Sequence, residues 1–149
     1  MEVKDLGHVV FFVRDLARSA HFYRDVLGFK EIGPFGGGAA AFVSASGRTH
    51  HELLLIEVGP APGPPTGPHR GLYHIGIKVG DSLDELRQAK AELDRGGIPI
   101  GGMSDHTVSQ SLYLHDPDGN EVELYVDADP SIWNRDPAAV LTPTKPLRL

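Results

Sequence analysis

Six side chains in this sequence are of the types that hold metals or move protons: His8, His51, His74, His106, Tyr113 and Glu123. Imidazole changes charge near neutral pH and ligates metals through either ring nitrogen, while a carboxylate adds a fixed negative charge to such a set. Eight histidines in 149 residues is a high number, and the chain has no cysteine. Thiolate metal sites, disulfides and a cysteine nucleophile are therefore excluded, which leaves nitrogen and oxygen donors. The densest stretch runs over residues 105–125, DHTVSQSLYLHDPDGNEVELY. Asp116-Pro117-Asp118-Gly119-Asn120 reads as a tight turn, because proline presets φ and glycine supplies φ > 0. Before it, Ser111, Tyr113 and His115 alternate with Leu112 and Leu114; after it, Glu121, Glu123 and Tyr125 alternate with Val122, Leu124 and Val126. Two strands of period two joined by this turn bring Tyr113 and Glu123 close together on one face.

The elements that must position these groups form a pattern that occurs twice. Residues 7–13 are a nearly continuous apolar run that begins with His8, which predicts a buried strand. Asp15 caps a predicted helix reaching about Leu27, with Leu16, Ala20, Tyr23 and Leu27 at helical spacing and Gly28 stopping it. Strands are predicted at 29–32, 39–44 and 51–58, with turns at 33–38 and around Gly47, so the order is βαβββ. Residues 59–71 are dense in proline and glycine and read as a surface linker. The pattern then restarts with a strand at 74–79 that begins with His74. Asp81 or Ser82 caps a second helix, Ser82 and Glu85 having capping-box spacing. Its apolar stripe is Leu83, Leu86, Ala89 and Leu93, and Gly96-Gly97 closes it. Strands near 98–101, 109–115 and 120–126 complete a second βαβββ unit.

The repeat has a measurable offset. His8 to His74 and Asp15 to Asp81 are each 66 positions, whereas Gly47 to Gly119 is 72. At the later offset, His51 corresponds to Glu123. Duplicated units packed about a pseudo-twofold axis would bring His8, His51, His74 and Glu123 towards one point.

Three segments carry a family resemblance. HVVFFVRDLARSAHFYRDVLGF is similar to the first strand and helix of the vicinal oxygen chelate superfamily, and GLYHIGIKV with DPDGNEVELY is similar to its second module. That superfamily includes glyoxalase I, extradiol ring-cleaving dioxygenases, and bleomycin and fosfomycin resistance proteins. The likeness covers roughly residues 5–127. It implies an α+β fold of two tandem βαβββ modules, residues 5–58 and 72–127, forming an incomplete eight-stranded barrel around a metal. The linker 59–71 joins the modules and a tail, 128–149, follows, all within one domain.

Within the superfamily the residues most resemble the catalytic modules of extradiol dioxygenases. That resemblance implies His8, His74 and Glu123 as metal ligands and His51 as the acid–base histidine, with a fourth-ligand role left open for it. His106 and Tyr113 would then hydrogen-bond the substrate oxygens. Two imidazoles and a carboxylate suit nonhaem Fe(II), with Mn(II) second. The implied substrates are a catechol-type aromatic diol and O2, and the implied assembly is a homodimer. Three other chemistries compete. A glyoxalase-like isomerase would carry a carboxylate at the ligand position of the first module's fourth strand, where His51 is expected. A fosfomycin-type thiol transferase shares the His-His-Glu set without needing His51, His106 and Tyr113. A non-enzymatic binding protein of the bleomycin-resistance kind needs no ligands at all. Glu57 is the candidate if the first module donates a carboxylate instead, and His21, His69 and His115 read as surface residues. A formal net charge of −6 without a basic cluster argues against nucleic acid. No apolar run is long enough for a bilayer and no signal pattern begins the chain, so the expectation is a cytoplasmic protein.

Overall fold

The computed structural model describes residues 1–35 and 37–149; Gly36, within the expected 33–38 turn, lies outside the described residues. The fold is mixed α+β, with two separate sheets and few helices. The chain divides into two compact units, Met1–Pro64 and Pro65–Leu149, the division falling inside the proline-rich stretch.

In the first unit, strand β1 (Val9–Val13) leads to helix α1 (Leu16–His21), followed by β2 (Lys30–Phe35), β3 (Ala39–Val43) and β4 (Leu53–Glu57). The sheet order is β1-β4-β3-β2, with β1 and β4 parallel and the rest antiparallel. Asp15 caps α1 as expected, its carboxylate accepting the Arg18 N–H at 2.9 Å. The helix continues to Val26 as a wider π turn, in which the Leu27 N–H reaches back to the Phe22 carbonyl at 3.0 Å. Gly28 then leaves with φ of 80°. The expected 29–32 strand instead runs to Phe35, so Gly33 and Pro34 are strand rather than turn. The reason is a bulge: register shifts between Glu31 and Gly33, Gly33 takes φ of 146°, and β2 is an edge strand, where proline removes no required donor.

The fourth strand starts two residues later than expected, at Leu53, which leaves His51 in the 44–52 connection. Glu52 organises that connection. Its carboxylate accepts the Ser44 N–H, the Ser44 hydroxyl at 2.9 Å and the Ser46 hydroxyl at 3.2 Å. Burial works against the charge on Glu52, yet these donors hold its pKa below the usual carboxylate value.

The second unit repeats the order: β5 (His74–Gly80), α2 (Leu83–Arg95), β6 (Gly102–Asp105), β7 (Ser109–His115) and β8 (Glu121–Asp127). The tail adds a short helix α3 (Ser131–Arg135) and β9 (Lys145–Pro146), and the sheet order is β5-β8-β7-β6-β9. Ser82 is the cap of α2, its hydroxyl accepting the Glu85 N–H at 3.3 Å, and the Glu85 carboxylate returns to the Asp81 N–H at 2.8 Å. The sixth strand begins at Gly102 rather than near 98. The Ile98 N–H turns back to the Leu93 carbonyl at 2.9 Å and Pro99 has no N–H, so the helix exit takes up the start of this stretch and the first bond to β7 is that of the Gly101 N–H to the Tyr113 carbonyl at 2.7 Å. Of the predicted stripe of α2, Leu86 and Leu93 are buried, whereas Leu83, the first residue of the helix, is exposed.

Each sheet has one closed face. In the first unit Phe11, Val13, Phe42, Leu53 and Leu55 are buried together with Phe22 and Tyr23. In the second, Leu112, Leu114, Val122, Leu124 and Val126 are buried with Leu86 and Leu93 of α2. Period-two alternation therefore leaves the opposite faces free for polar groups. Among the described residues no helix is long and apolar enough to cross a membrane.

Candidate functional site

The polar face of the second unit gathers four of the six predicted residues. β5 and β8 are parallel, with His74 in register with Glu121 and Gly76 with Glu123; β7 pairs antiparallel with β8, with Tyr113 opposite Glu123. His74 Nε2 lies 3.2 Å from Glu123 Oε2, and His74 Nδ1 lies 3.4 Å from Glu121 Oε1. The Tyr113 hydroxyl donates to Glu123 Oε1 at 3.0 Å and lies 2.7 Å from His106 Nε2. A phenol has one proton to give, so in this arrangement His106 is the tautomer that donates Nε2–H to Tyr113. Burial, reinforced by the Glu123 charge and the hydrogen bond to it, raises the Tyr113 pKa well above the ordinary phenol value, which keeps the hydroxyl neutral and donating. Neighbouring Tyr73 is also raised, first by the charge of Glu121 and then by burial.

The local sequence explains this placement. Asp116 is buried at the turn, and its carboxylate accepts the Asp118 N–H at 2.9 Å, the Asn120 N–H at 2.8 Å and the Asn120 side-chain amide at 2.8 Å. Gly119 supplies φ of 91°. The five-residue turn fixes which residue of β7 faces which of β8, and so brings Tyr113 to Glu123.

These donors fit a divalent cation. His74 Nε2 and Glu123 Oε2, 3.2 Å apart, offer one imidazole and one carboxylate donor, and Glu121 Oε1 stands 3.4 Å behind them at His74 Nδ1. Beside Glu123 opens a cleft of about 270 Å³ lined by Val108, Tyr125, Trp133 and Val140, so the tail contributes an apolar wall to this face.

The first unit brings its own histidines together. His8, immediately before β1, and His51, immediately before Glu52, have ring centroids 4.3 Å apart, and His50 lies 4.4 Å from His51 and 5.9 Å from His8. Burial, with the neighbouring His8 and His50, pushes the His51 imidazole below its usual pKa and so favours the neutral ring.

The strand registers correct one expectation. Val10 pairs with Leu54 as Gly76 pairs with Glu123, and Ala41 pairs with Leu54 as Tyr113 pairs with Glu123. Val10 to Gly76 is 66 positions, Ala41 to Tyr113 is 72 and Leu54 to Glu123 is 69. The equivalent of Glu123 is therefore Leu54, not His51. Between register-equivalent positions the connection before β4 is three residues longer than the turn before β8, and His50 and His51 stand at its end. Glu57, the alternative carboxylate, instead accepts the Leu16 N–H at 2.8 Å at the start of α1.

Residues 5–124 match the Glyoxalase/Bleomycin resistance protein/Dioxygenase superfamily. The chain belongs to that superfamily. It is 40% identical over 132 residues to the catechol-2,3-dioxygenase of Bacillus subtilis (strain 168), covering 88% of this chain and 44% of the relative. It is 32% identical over 132 residues to biphenyl-2,3-diol 1,2-dioxygenase 3 of Rhodococcus globerulus, covering 82% and 63%. The chain thus spans between about half and two thirds of these relatives' lengths. Among solved structures, a glyoxylase/bleomycin resistance protein/dioxygenase domain from Frankia sp. EAN1pec superposes with a TM-score of 0.70 at 21% identity, over 85% of this chain and all of that one, a likeness of fold.

Sequence reasoning missed the contact of Glu121 with His74 and the part played by His50. Glu121 was legible from strand alternation, which sets it on the face of Glu123.

Proposed function

We propose that this chain is an extradiol-type dioxygenase acting on a catechol-type aromatic diol with O2. The observation that carries the reading is the apolar residue Leu54 at the strand position of Glu123. A glyoxalase-like isomerase would need a carboxylate there, whereas a three-donor set of His8, His74 and Glu123 does not. The hydrogen-bonded group His106–Tyr113–Glu123 argues in the same direction, since a thiol transferase has no use for it. Dioxygenase relatives at 32% and 40% identity support the class.

Fe(II) is the proposed metal and Mn(II) the second choice, for the mixed imidazole and carboxylate donors. When bound, it would supply Lewis acidity that lowers the diol pKa, together with open positions for the diol oxygens and O2. The chain's own residues do the rest. Glu121 at Nδ1 orients the His74 ring so that Nε2 faces Glu123. Once Glu123 holds the metal, Tyr113 turns its one proton from that carboxylate to a substrate oxygen while His106 donates to the Tyr113 oxygen; His51 in its neutral form accepts a proton from the diol, and the wall of Val108, Trp133 and Val140 takes the apolar part of the ring. A homodimer belongs to the same proposal.

Anaerobic reconstitution with Fe(II) followed by oxygen uptake on a panel of catechols tests the reading. A yellow ring-opened product is expected, and His51→Ala should keep its metal while losing turnover. No oxygen uptake on any diol, together with turnover of methylglyoxal–thiol adducts under Ni(II) or Zn(II), would replace this reading by the isomerase. Metal loss in His51→Ala would instead make His51 a ligand.

A further inference from the structure

We propose that His8, His50 and His51 form a competing cation site in the first unit, sharing His8 with the proposed iron set, selective for Zn(II), Ni(II) or Cu(II) over Fe(II), whose occupation switches the enzyme off. Ligand atoms of the three side chains lie within 4.8 Å of one another. Adjacent donors on a tetrahedral ion with Zn–N of about 2.05 Å stand roughly 3.4 Å apart, so side-chain rotation of about an ångström closes the set. The parallel pairing of β1 with β4 sets His8 beside the end of the 44–52 connection: the Val9 N–H donates to the Glu52 carbonyl at 3.0 Å, and His50 and His51 directly precede Glu52. The Thr49 hydroxyl lies 3.3 Å from His50 Nδ1, which engages that nitrogen and leaves Nε2 for an ion.

Donor chemistry sets the selectivity. Three neutral imidazoles with no carboxylate rank Zn(II), Ni(II) and Cu(II) above Fe(II) and Mn(II), whereas the carboxylate-bearing face of the second unit favours the latter pair. The consequence for turnover rests on the proposed function: an ion held here withdraws both His8 and the His51 that accepts the diol proton. The binding itself does not rest on it.

The test uses the full chain. In a His74→Ala, Glu123→Ala double variant, which lacks the carboxylate-bearing donors, Zn(II) titration by calorimetry and Co(II) absorption should each show one equivalent bound. Adding His50→Ala should weaken that binding by at least about tenfold, the scale on which even outer partners of a metal matter. In the otherwise unaltered protein, His50→Ala should leave iron content and oxygen uptake in place while raising the Zn(II) concentration for half-inhibition by a similar factor. Absence of Zn(II) binding in a folded double variant, or binding and inhibition that His50→Ala does not change, would overturn the site. If no diol is ever turned over, the proposed dioxygenase fails, and the titrations still decide the cation site.

Discussion

The two sheets share one strand plan and differ in what they place at matching positions. Where the second carries Tyr113 opposite Glu123 and Gly76 beside it, the first carries Ala41 opposite Leu54 and Val10 beside it. The first unit's histidines come instead from a lengthened connection and from the residue preceding β1. Glu52 and Glu121, equivalent by register, diverge in the same way. Glu52 ties down a loop through Ser44 and Ser46, while Glu121 stands against His74. A duplicated fold thus puts rigid, hydrogen-bonded carboxylate chemistry on strands in one half and imidazoles on a loop in the other.

Copying the first unit into the second breaks the comparison most severely. If the proposed reaction holds, Glu123→Leu should abolish retention of the proposed Fe(II) and lower oxygen uptake by roughly a thousandfold or more, about 4 kcal/mol of barrier, as read by elemental analysis and an oxygen electrode. An unchanged metal content would show that the two positions are not functionally distinct. Tyr113→Phe deletes one donor while keeping the ring, and should retain iron but lose about a hundredfold in kcat/KM. A larger drop in metal than in rate would recast Tyr113 as a support for Glu123. The reverse copy, Leu54→Glu, gives the first unit the missing carboxylate and should raise affinity for Fe(II) by about tenfold relative to Ni(II) or Zn(II), read by metal titration.

Smaller effects bear on stability. Asp116→Ala leaves three half-buried donors of the β7–β8 turn without their partner and should destabilise by about 2 kcal/mol, read from the urea midpoint. The two helix caps are the mildest comparison: Asp15→Ala and Ser82→Ala should each cost about 1 kcal/mol, and a large asymmetry between them would mean that one unit depends on its helix far more than the other.

The βαβββ order was legible in the residues because hydrophobic periodicity, capping residues and turn glycines are local signals. Asp15, Ser82 with Glu85, and the 116–120 turn are the clearest cases. The face shared by Tyr113 and Glu123 followed from period two alone. Strand β2 and the start of β6 were not legible in the same way. A glycine bulge beside proline imitates a turn, and a helix exit that folds back on Leu93 imitates a strand.

By itself the sequence determined the elements, the types of donor available and which residues of one strand share a face, since each depends on neighbours within a few positions. Only the tertiary structure decided the equivalence of Leu54 with Glu123, the meeting of His8 with His50 and His51, and the contact of Glu121 with His74. Those depend on register between strands distant in the chain. A connection longer by three residues changes that register without leaving any mark in the composition of the strands it joins.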